Sequence, residues 1–155
     1  MIDDKSPPPG LFLYRAKTAF DELDPLGILH NSRYLYFLER ATLAMFDHLM
    51  GAERFDPEAY PDLYVLVRRL EIDYLAPIRG VIPFLITLRV SRLREAGCVY
   101  AFEFRSENGE TLFSKGTRTV VRMSGATGEP TAWTPQFRSI YGKWEKAGKE
   151  KSKEF

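Results

Sequence analysis

Residues 20–41 read FDELDPLGILHNSRYLYFLERA, and this stretch decides the fold. The tetrapeptide Asp24-Pro25-Leu26-Gly27 carries the residues that a type I turn prefers at its first, second and fourth positions. Asn31 or Ser32 can then cap a helix, and the apolar run that follows predicts that this helix spans residues 31–50. The stretch therefore predicts an acidic turn at the mouth of a long helix.

The predicted helix is apolar on most of its faces. Its polar stripe is narrow, because Arg33, Arg40 and Asp47 recur every seven residues and apolar side chains fill most positions between them. A helix with so little polar surface has to be largely enclosed by other structure. We therefore expect a sheet to wrap around it.

Alternating apolar residues outside the helix predict the strands of that sheet. The predicted strands span residues 11–20, 63–75, 82–93, 98–105 and 111–123, and Asn108-Gly109 is a strong hairpin signal between the last two. One strand, a buried helix and four antiparallel strands make an α+β protein, with a five-stranded sheet around one central helix. The sheet edges can pair between subunits, so we expect at least a dimer.

Length and composition predict one domain and exclude several classes of function. The 155 residues are 45% hydrophobic and carry a net charge of +1, which offers no global field for nucleic acid or an anionic membrane. Cys98 is the only cysteine and there are two histidines, so neither a disulfide framework nor a metal site is expected. No apolar run is long enough to span a membrane.

The two ends of the chain differ from the middle. Residues 1–10, MIDDKSPPPG, are polar and proline-rich, which predicts a flexible tail without a signal peptide and hence a cytoplasmic protein. The folded domain is predicted to span residues 11–125. Residues 126–155 are predicted to form a partly disordered extension, since the segment from Lys143 onward is rich in Lys and Glu.

The order of elements and the turn motif together resemble the hotdog-fold acyl-CoA thioesterases, specifically the 4-hydroxybenzoyl-CoA thioesterase-like subgroup. The matching motif positions are Asp24, Gly27, Asn31 and Tyr34. The helix continues the family pattern, and LEIDYLAPIRG at residues 70–80 is similar to the family's second strand and following turn. The resemblance covers roughly residues 11–123 and implies the hotdog fold.

The resemblance implies hydrolysis of an acyl-CoA thioester to a free acid and coenzyme A, without a further cofactor. Asp24 would act as nucleophile or general base. The backbone N–H of Asn31, at the positive end of the helix dipole, would hold the developing oxyanion. Gly27 would leave room for the thioester, and His30 and Tyr34 would contact the substrate. The thiol carrier would be coenzyme A or an acyl carrier protein, and the assembly a homodimer or homotetramer.

Structural explanations compete with each of these roles. Asp24 suits a turn without catalysis, Asn31 suits a helix cap, and a tyrosine on an apolar helix is often core. Glu39 is expected to make a structural hydrogen bond, or a contact with Arg40 or another chain, because a carboxylate on a buried helix needs a partner. Most strand arginines are expected on solvated faces, namely Arg68, Arg69, Arg89, Arg92, Arg94, Arg118 and Arg122.

Two other functions remain open at this stage. Hotdog hydratases use an Asp and a His about five residues apart with an Asn between them. Here Asp24 and His30 are six apart and Asn31 follows the histidine, so this match is poor. The other alternative is a non-catalytic module that binds acyl-CoA or an acyl carrier protein.

Overall fold

The computed structural model describes residues 6–152, with side chains described as far as residue 150. Five antiparallel strands form one sheet in the spatial order β1-β3-β4-β5-β2. This confirms the predicted α+β architecture, although the structure adds a second helix. The elements are β1 (Phe12–Lys17), α1 (Arg33–Met50), β2 (Val65–Tyr74), β3 (Pro83–Leu93), β4 (Gly97–Ser106), β5 (Leu112–Arg122) and α2 (Pro135–Ser152).

The core lies between α1 and one face of the sheet. Alternate residues of the two central strands β3 and β4 point to this face, as their sequence pattern predicts. The ring of Phe37 packs edge-on against Phe84 at 5.0 Å, and that of Tyr34 packs against Phe104 at 5.1 Å. The buried residues of β3 and β4 on this face are Phe84, Ile86, Leu88, Val90, Cys98, Tyr100, Phe102 and Phe104.

Helix α1 starts two residues later than predicted and is less enclosed. Ser32 is the N-cap, and Gly51 ends the helix in the left-handed conformation with φ of 67°. Leu35 and Tyr36 are 43% and 55% exposed, so this chain alone does not enclose the helix on this face. The reason is that the chain's own sheet covers only one side of α1. Neither of the described helices is long and apolar enough to cross a membrane.

Strand β1 is shorter than predicted. The Thr18 hydroxyl donates to the Gly80 carbonyl at 2.7 Å and accepts from the Ile82 N–H at 2.8 Å. After these bonds the chain leaves the sheet and forms a short 3-10 helix at Phe20–Glu22. Phe20 is consequently 81% exposed, and the prediction that the first strand extends to residue 20 is wrong.

Helix α2 corrects the prediction of a partly disordered extension over residues 126–155. Trp133, Phe137 and Tyr141 are buried and their rings stack in series at 4.1 Å and 3.8 Å. The helix start is held by Thr134, whose N–H and hydroxyl donate to the buried Asp62 carboxylate at 3.0 Å and 2.6 Å. These aromatic residues, spaced by four in the sequence, thus lie on one side and pack into the core.

The flexible tail predicted for residues 1–10 lies partly outside the described residues. Within them, Gly10 is buried and approaches the end of α2 closely. A Cβ atom on Gly10 would lie 2.4 Å from the backbone nitrogen of Gly148, and Gly10 also has φ of 77°. Both constraints require glycine, so the chain just before β1 is packed against α2.

Replacing Phe137 by alanine tests whether α2 is part of the core. We expect Phe137→Ala to lower the free energy of unfolding by about 3–5 kcal/mol, because a buried aromatic side chain leaves a cavity. The exposed neighbour Gln136 provides the matched control, and Gln136→Ala should change stability by less than about 0.5 kcal/mol. Urea unfolding followed by circular dichroism measures both. Equal effects of the two substitutions would mean that α2 does not contribute to the core.

Candidate active site

The acidic turn sits at the tip of a small hairpin of residues 22–30. The Asp24 N–H donates to the Ile28 carbonyl at 2.8 Å, and the His30 N–H donates to the Glu22 carbonyl at 3.0 Å. Within the tip, the Gly27 N–H donates to the Asp24 carbonyl at 2.9 Å, which closes the predicted β-turn. Asp24 is therefore held by backbone hydrogen bonds on both sides of the turn.

The hairpin is fastened to the segment that joins β2 to β3. The Leu29 N–H donates to the Ile78 carbonyl at 2.8 Å, and the Gly80 N–H donates to the Gly27 carbonyl at 2.9 Å. Gly27 has φ of 75°, which favours glycine, while a Cβ atom there would meet nothing within 4 Å. The turn conformation is therefore sufficient to favour glycine at this position.

A cleft of about 520 Å³ opens beside the hairpin. It brings together four of the residues proposed from the sequence, Asp24, His30, Asn31 and Tyr34, whereas Gly27 does not line it. The opposite wall comes from the end of β2 and the residues that follow, and includes Tyr74. The cleft thus lies between the acidic turn, the start of α1 and the end of β2.

The Asp24 carboxylate has one bonded and one unbonded oxygen. Its Oδ1 accepts from the N–H groups of Leu26 at 2.8 Å and Ile28 at 3.3 Å, which orients the side chain. Its Oδ2 receives no hydrogen bond from the residues that the structure describes. The carboxylate is partly exposed on the cleft wall, so this second oxygen is available to a ligand or a water molecule.

His30 and Asn31, which line the cleft together with Asp24, lie just before α1. Within the described chain, the Asn31 N–H forms no hydrogen bond, and Asn31 directly precedes the N-cap residue of α1. The Ser32 N–H donates to Nδ1 of His30 at 3.1 Å, and the Ser32 hydroxyl lies 2.8 Å from the same nitrogen. Because a backbone N–H can only donate, this bond favours a neutral His30 with its proton on Nε2. Ser32, not Asn31, is the N-cap.

Two tyrosines form the inner end of the cleft. Tyr34 is 3% exposed and its ring packs edge-on against Tyr74 at 5.0 Å. The Tyr74 hydroxyl donates to the Asn31 carbonyl at 3.3 Å, which ties the end of β2 to the start of α1. Burial, with a smaller contribution from Tyr74, raises the pKa of Tyr34 to about 12. The Tyr34 hydroxyl therefore keeps its proton at neutral pH.

Glu39 makes the structural hydrogen bond expected of it, and its partner is a strand arginine, Arg118. Arg118 is 5% exposed, and its Nη2 donates to Oε1 of Glu39 at 2.6 Å. Arg118 thus does not lie on a solvated face, and Glu39 pairs with it rather than with Arg40, whose guanidinium lies over the Phe37 ring. Among the described residues, no group of three or more His, Cys, Asp and Glu side chains is placed to hold a metal ion.

Tyr74 is a polar lining residue that sequence reasoning missed as part of the site. It belongs to the segment LEIDYLAPIRG, whose sequence predicts only a strand and the turn that follows it. The available signal was a tyrosine at the end of that strand, just before Leu75-Ala76-Pro77. Which side of α1 this strand end would reach depends on the strand order, and the strand order is not encoded locally.

A five-stranded antiparallel sheet packed on a long helix is the architecture of the hotdog class of proteins. The chain belongs to the thioesterase-like superfamily, whose family model matches residues 18–140. This confirms the resemblance drawn from the turn motif. No curated protein matches the sequence.

Solved structures support the fold at low sequence identity. A Staphylococcus aureus protein determined in complex with CoA is 15% identical, with a TM-score of 0.79 over 93% of this chain and 89% of that chain. A 1,4-dihydroxy-2-naphthoyl-CoA thioesterase from Synechocystis is 11% identical, with a TM-score of 0.73 over 85% of this chain and 96% of that chain. A probable thioesterase from Bartonella henselae is 23% identical, with a TM-score of 0.64 over 79% and 96%.

Two substitutions of Asp24 separate its role in the turn from its charge. We expect Asp24→Ala to lower the free energy of unfolding by about 1–2 kcal/mol, because two N–H groups lose their acceptor. Asp24→Asn keeps an oxygen in the same place and should cost less than about 0.5 kcal/mol. Chemical unfolding of the three proteins measures this difference. If both variants were equally destabilised, the negative charge rather than the turn would stabilise the fold.

Burial of Tyr34 predicts a loss of stability at alkaline pH. Its pKa is about 12 in the folded protein and ordinarily near 10, so the folded state holds the proton more strongly. The stability that this gives is fully present below pH 10 and is lost as the pH rises toward 12. We expect the free energy of unfolding to fall less steeply for Tyr34→Phe than for the wild type between about pH 9 and 11. Identical slopes would contradict the assignment.

Proposed function

We propose that this protein hydrolyses acyl-CoA thioesters, with the cleft at Asp24 as the active site. The observation that carries the proposal is the placement of a carboxylate with a free oxygen and an unbonded helix-start N–H on one cleft. A thioester carbonyl between them would have a nucleophile or base on one side and an oxyanion donor on the other. The CoA complex and the CoA thioesterase among the similar structures support this choice of substrate.

Asp24 can act in two ways, and both are consistent with the proposal. As a nucleophile, its oxygen bonds to the carbonyl carbon and the C–S bond breaks, which gives a mixed anhydride and CoA thiolate; water then cleaves the anhydride. As a general base, it takes a proton from water while the water oxygen bonds to the carbonyl carbon. In either case the thiolate leaves and is protonated, and a carboxylic acid is released.

The surrounding groups have distinct tasks in this proposal. The Asn31 N–H stabilises the oxyanion, helped by the positive end of the α1 dipole. The Nε2–H of His30 is a second donor toward the thioester, while the protonated Tyr34 hydroxyl contacts the acyl group. Tyr74 positions the oxyanion donor, because its hydroxyl holds the Asn31 carbonyl. Gly27 acts through the turn and does not touch the substrate.

The assembly and setting are also part of the proposal. Leu66 and Val67 are 59% and 48% exposed on β2, an outer strand of the sheet, and Leu35 and Tyr36 are exposed on α1. Open strand edges and uncovered apolar side chains favour a homodimer or homotetramer. The proposed substrate is an acyl-CoA, and a thioester of an acyl carrier protein is the alternative substrate. We expect a cytoplasmic location.

Thiol release tests the proposal directly. With a panel of aryl- and fatty acyl-CoAs and a disulfide dye, the wild type should release CoA thiol, and Asp24→Asn should reduce kcat about 10²–10⁴-fold. Asp21→Asn is the matched control, since it removes the same charge from the same loop outside the cleft, and should retain activity.

Other outcomes redirect the assignment. Full activity in a folded Asp24→Asn protein would exclude the role of Asp24. No thiol release by the wild type from any acyl-CoA would contradict the substrate class. Loss of the enoyl chromophore without thiol release would instead favour a hydratase, and binding without turnover would favour an acyl-binding module.

A further inference from the structure

A second pocket lies further along α1, on the side of the helix that faces β2 and β5. Its volume is about 130 Å³, and its walls are mainly apolar and aromatic, with Phe46, Tyr100, Trp133 and Phe137 among them. An apolar cavity of about 150 Å³ is large enough to bind benzene, so a compact ring or short chain fits this space. None of the cleft-lining residues contributes to this pocket.

The pocket contains a buried cation that its surroundings leave incompletely bonded. The guanidinium of Arg118 lines the pocket, and its Nη2 and Nη1 donate to Glu39 at 2.6 Å and to the Thr42 hydroxyl at 3.4 Å. Its Nε is buried and has no hydrogen-bond acceptor among the described residues. A buried donor without an acceptor costs free energy, so the guanidinium of Arg118 is only partly compensated by its present partners.

The anion that now pairs with Arg118 is replaceable. The Arg118 side chain is 6% exposed, whereas that of Glu39 is 59% exposed. Glu39 can therefore swing into solvent at little cost, while the guanidinium stays in place. A ligand carboxylate that took its place could bind Arg118 through two parallel N–H···O bonds, which is the geometry that favours arginine for carboxylates.

We propose that this pocket binds a small organic carboxylate, with its aromatic or short aliphatic body among the aromatic walls and its carboxylate on Arg118. The exposed Phe55, which also lines the pocket, stands at its mouth in the loop between α1 and β2. This site is separate from the cleft at Asp24 and does not rest on the proposed hydrolysis.

Benzoate and hexanoate are the probes, and benzamide is the neutral control for benzoate. Trp133 lines the pocket, and its indole N–H donates to the Gly97 carbonyl at 3.1 Å, so its ¹⁵N–¹H signal reports binding. The chain's other tryptophan, Trp144, is not among the pocket residues and serves as the internal reference. We expect benzoate to shift the Trp133 signal saturably. Benzamide should bind with an affinity at least about tenfold lower, because it lacks the charge.

Paired substitutions make the test specific. Arg118→Gln should weaken benzoate binding about tenfold or more, because the charge-assisted bonds are lost. Glu39→Gln should tighten binding severalfold, because the competing carboxylate is removed. Leu43→Phe should also block benzoate binding, because the larger side chain fills the pocket without altering the ion pair. This variant keeps the test decisive if Arg118→Gln proves unstable. Asp24→Asn should leave benzoate binding unchanged, which separates this site from the cleft.

Three results would overturn the proposal. The first is the absence of a saturable Trp133 shift with either carboxylate. The second is equal binding of benzoate and benzamide. The third is unchanged benzoate affinity in a folded Leu43→Phe or Arg118→Gln protein. Calorimetric titration of the same proteins provides an independent measure of each affinity.

Discussion

The packing of one face of α1 against the inner face of the sheet is the constraint on which the rest of the structure depends. Phe37 meets Phe84 and Tyr34 meets Phe104, so aromatic contacts fix both the rotation of the helix and its height over β3 and β4. Once the helix is placed in this way, its first turn has a defined position relative to the strands. Both pockets described above are consequences of that placement, since each has one wall on α1.

The acidic turn is positioned by backbone hydrogen bonds, and Leu29 of its hairpin is buried in the core. Bonds from Leu29 to Ile78 and from Gly80 to Gly27 join the loop before α1 to the loop after β2. Because β2 is an outer strand, its far end is free to carry Tyr74 to the helix start. The two loops that form the cleft are thus anchored to the rigid sheet. This anchoring keeps Asp24 and the Asn31 N–H at the same cleft.

The sequence predicts this fold well where the pattern is local and less well where distant segments meet. Alternation in β3 and β4 and the Asp-Pro-Leu-Gly turn are local signals, and the structure agrees with both. Helix α2 has a local signal too, since Thr134-Pro135 is a helix start and Trp133, Phe137 and Tyr141 are spaced by four. The Lys- and Glu-rich end of the chain obscured it. The site residue Tyr74 and the burial of Arg118 depend instead on strand order and helix rotation, which no short window of sequence contains.

The contrast between Asp24 and Arg118 shows why charge alone does not reveal a site. Asp24 keeps one oxygen unbonded in an open cleft, because its other oxygen meets the needs of the turn. Arg118 is nearly enclosed, and its one strong bond is to a carboxylate that is itself largely in solvent. Because water screens the exposed carboxylate, the attraction between the two charges is weaker than it would be in a fully buried ion pair. The pair therefore stabilises the buried guanidinium less. The same weakness makes the position receptive to another anion, so the energetic imbalance of the pair, rather than its presence, points to a binding site.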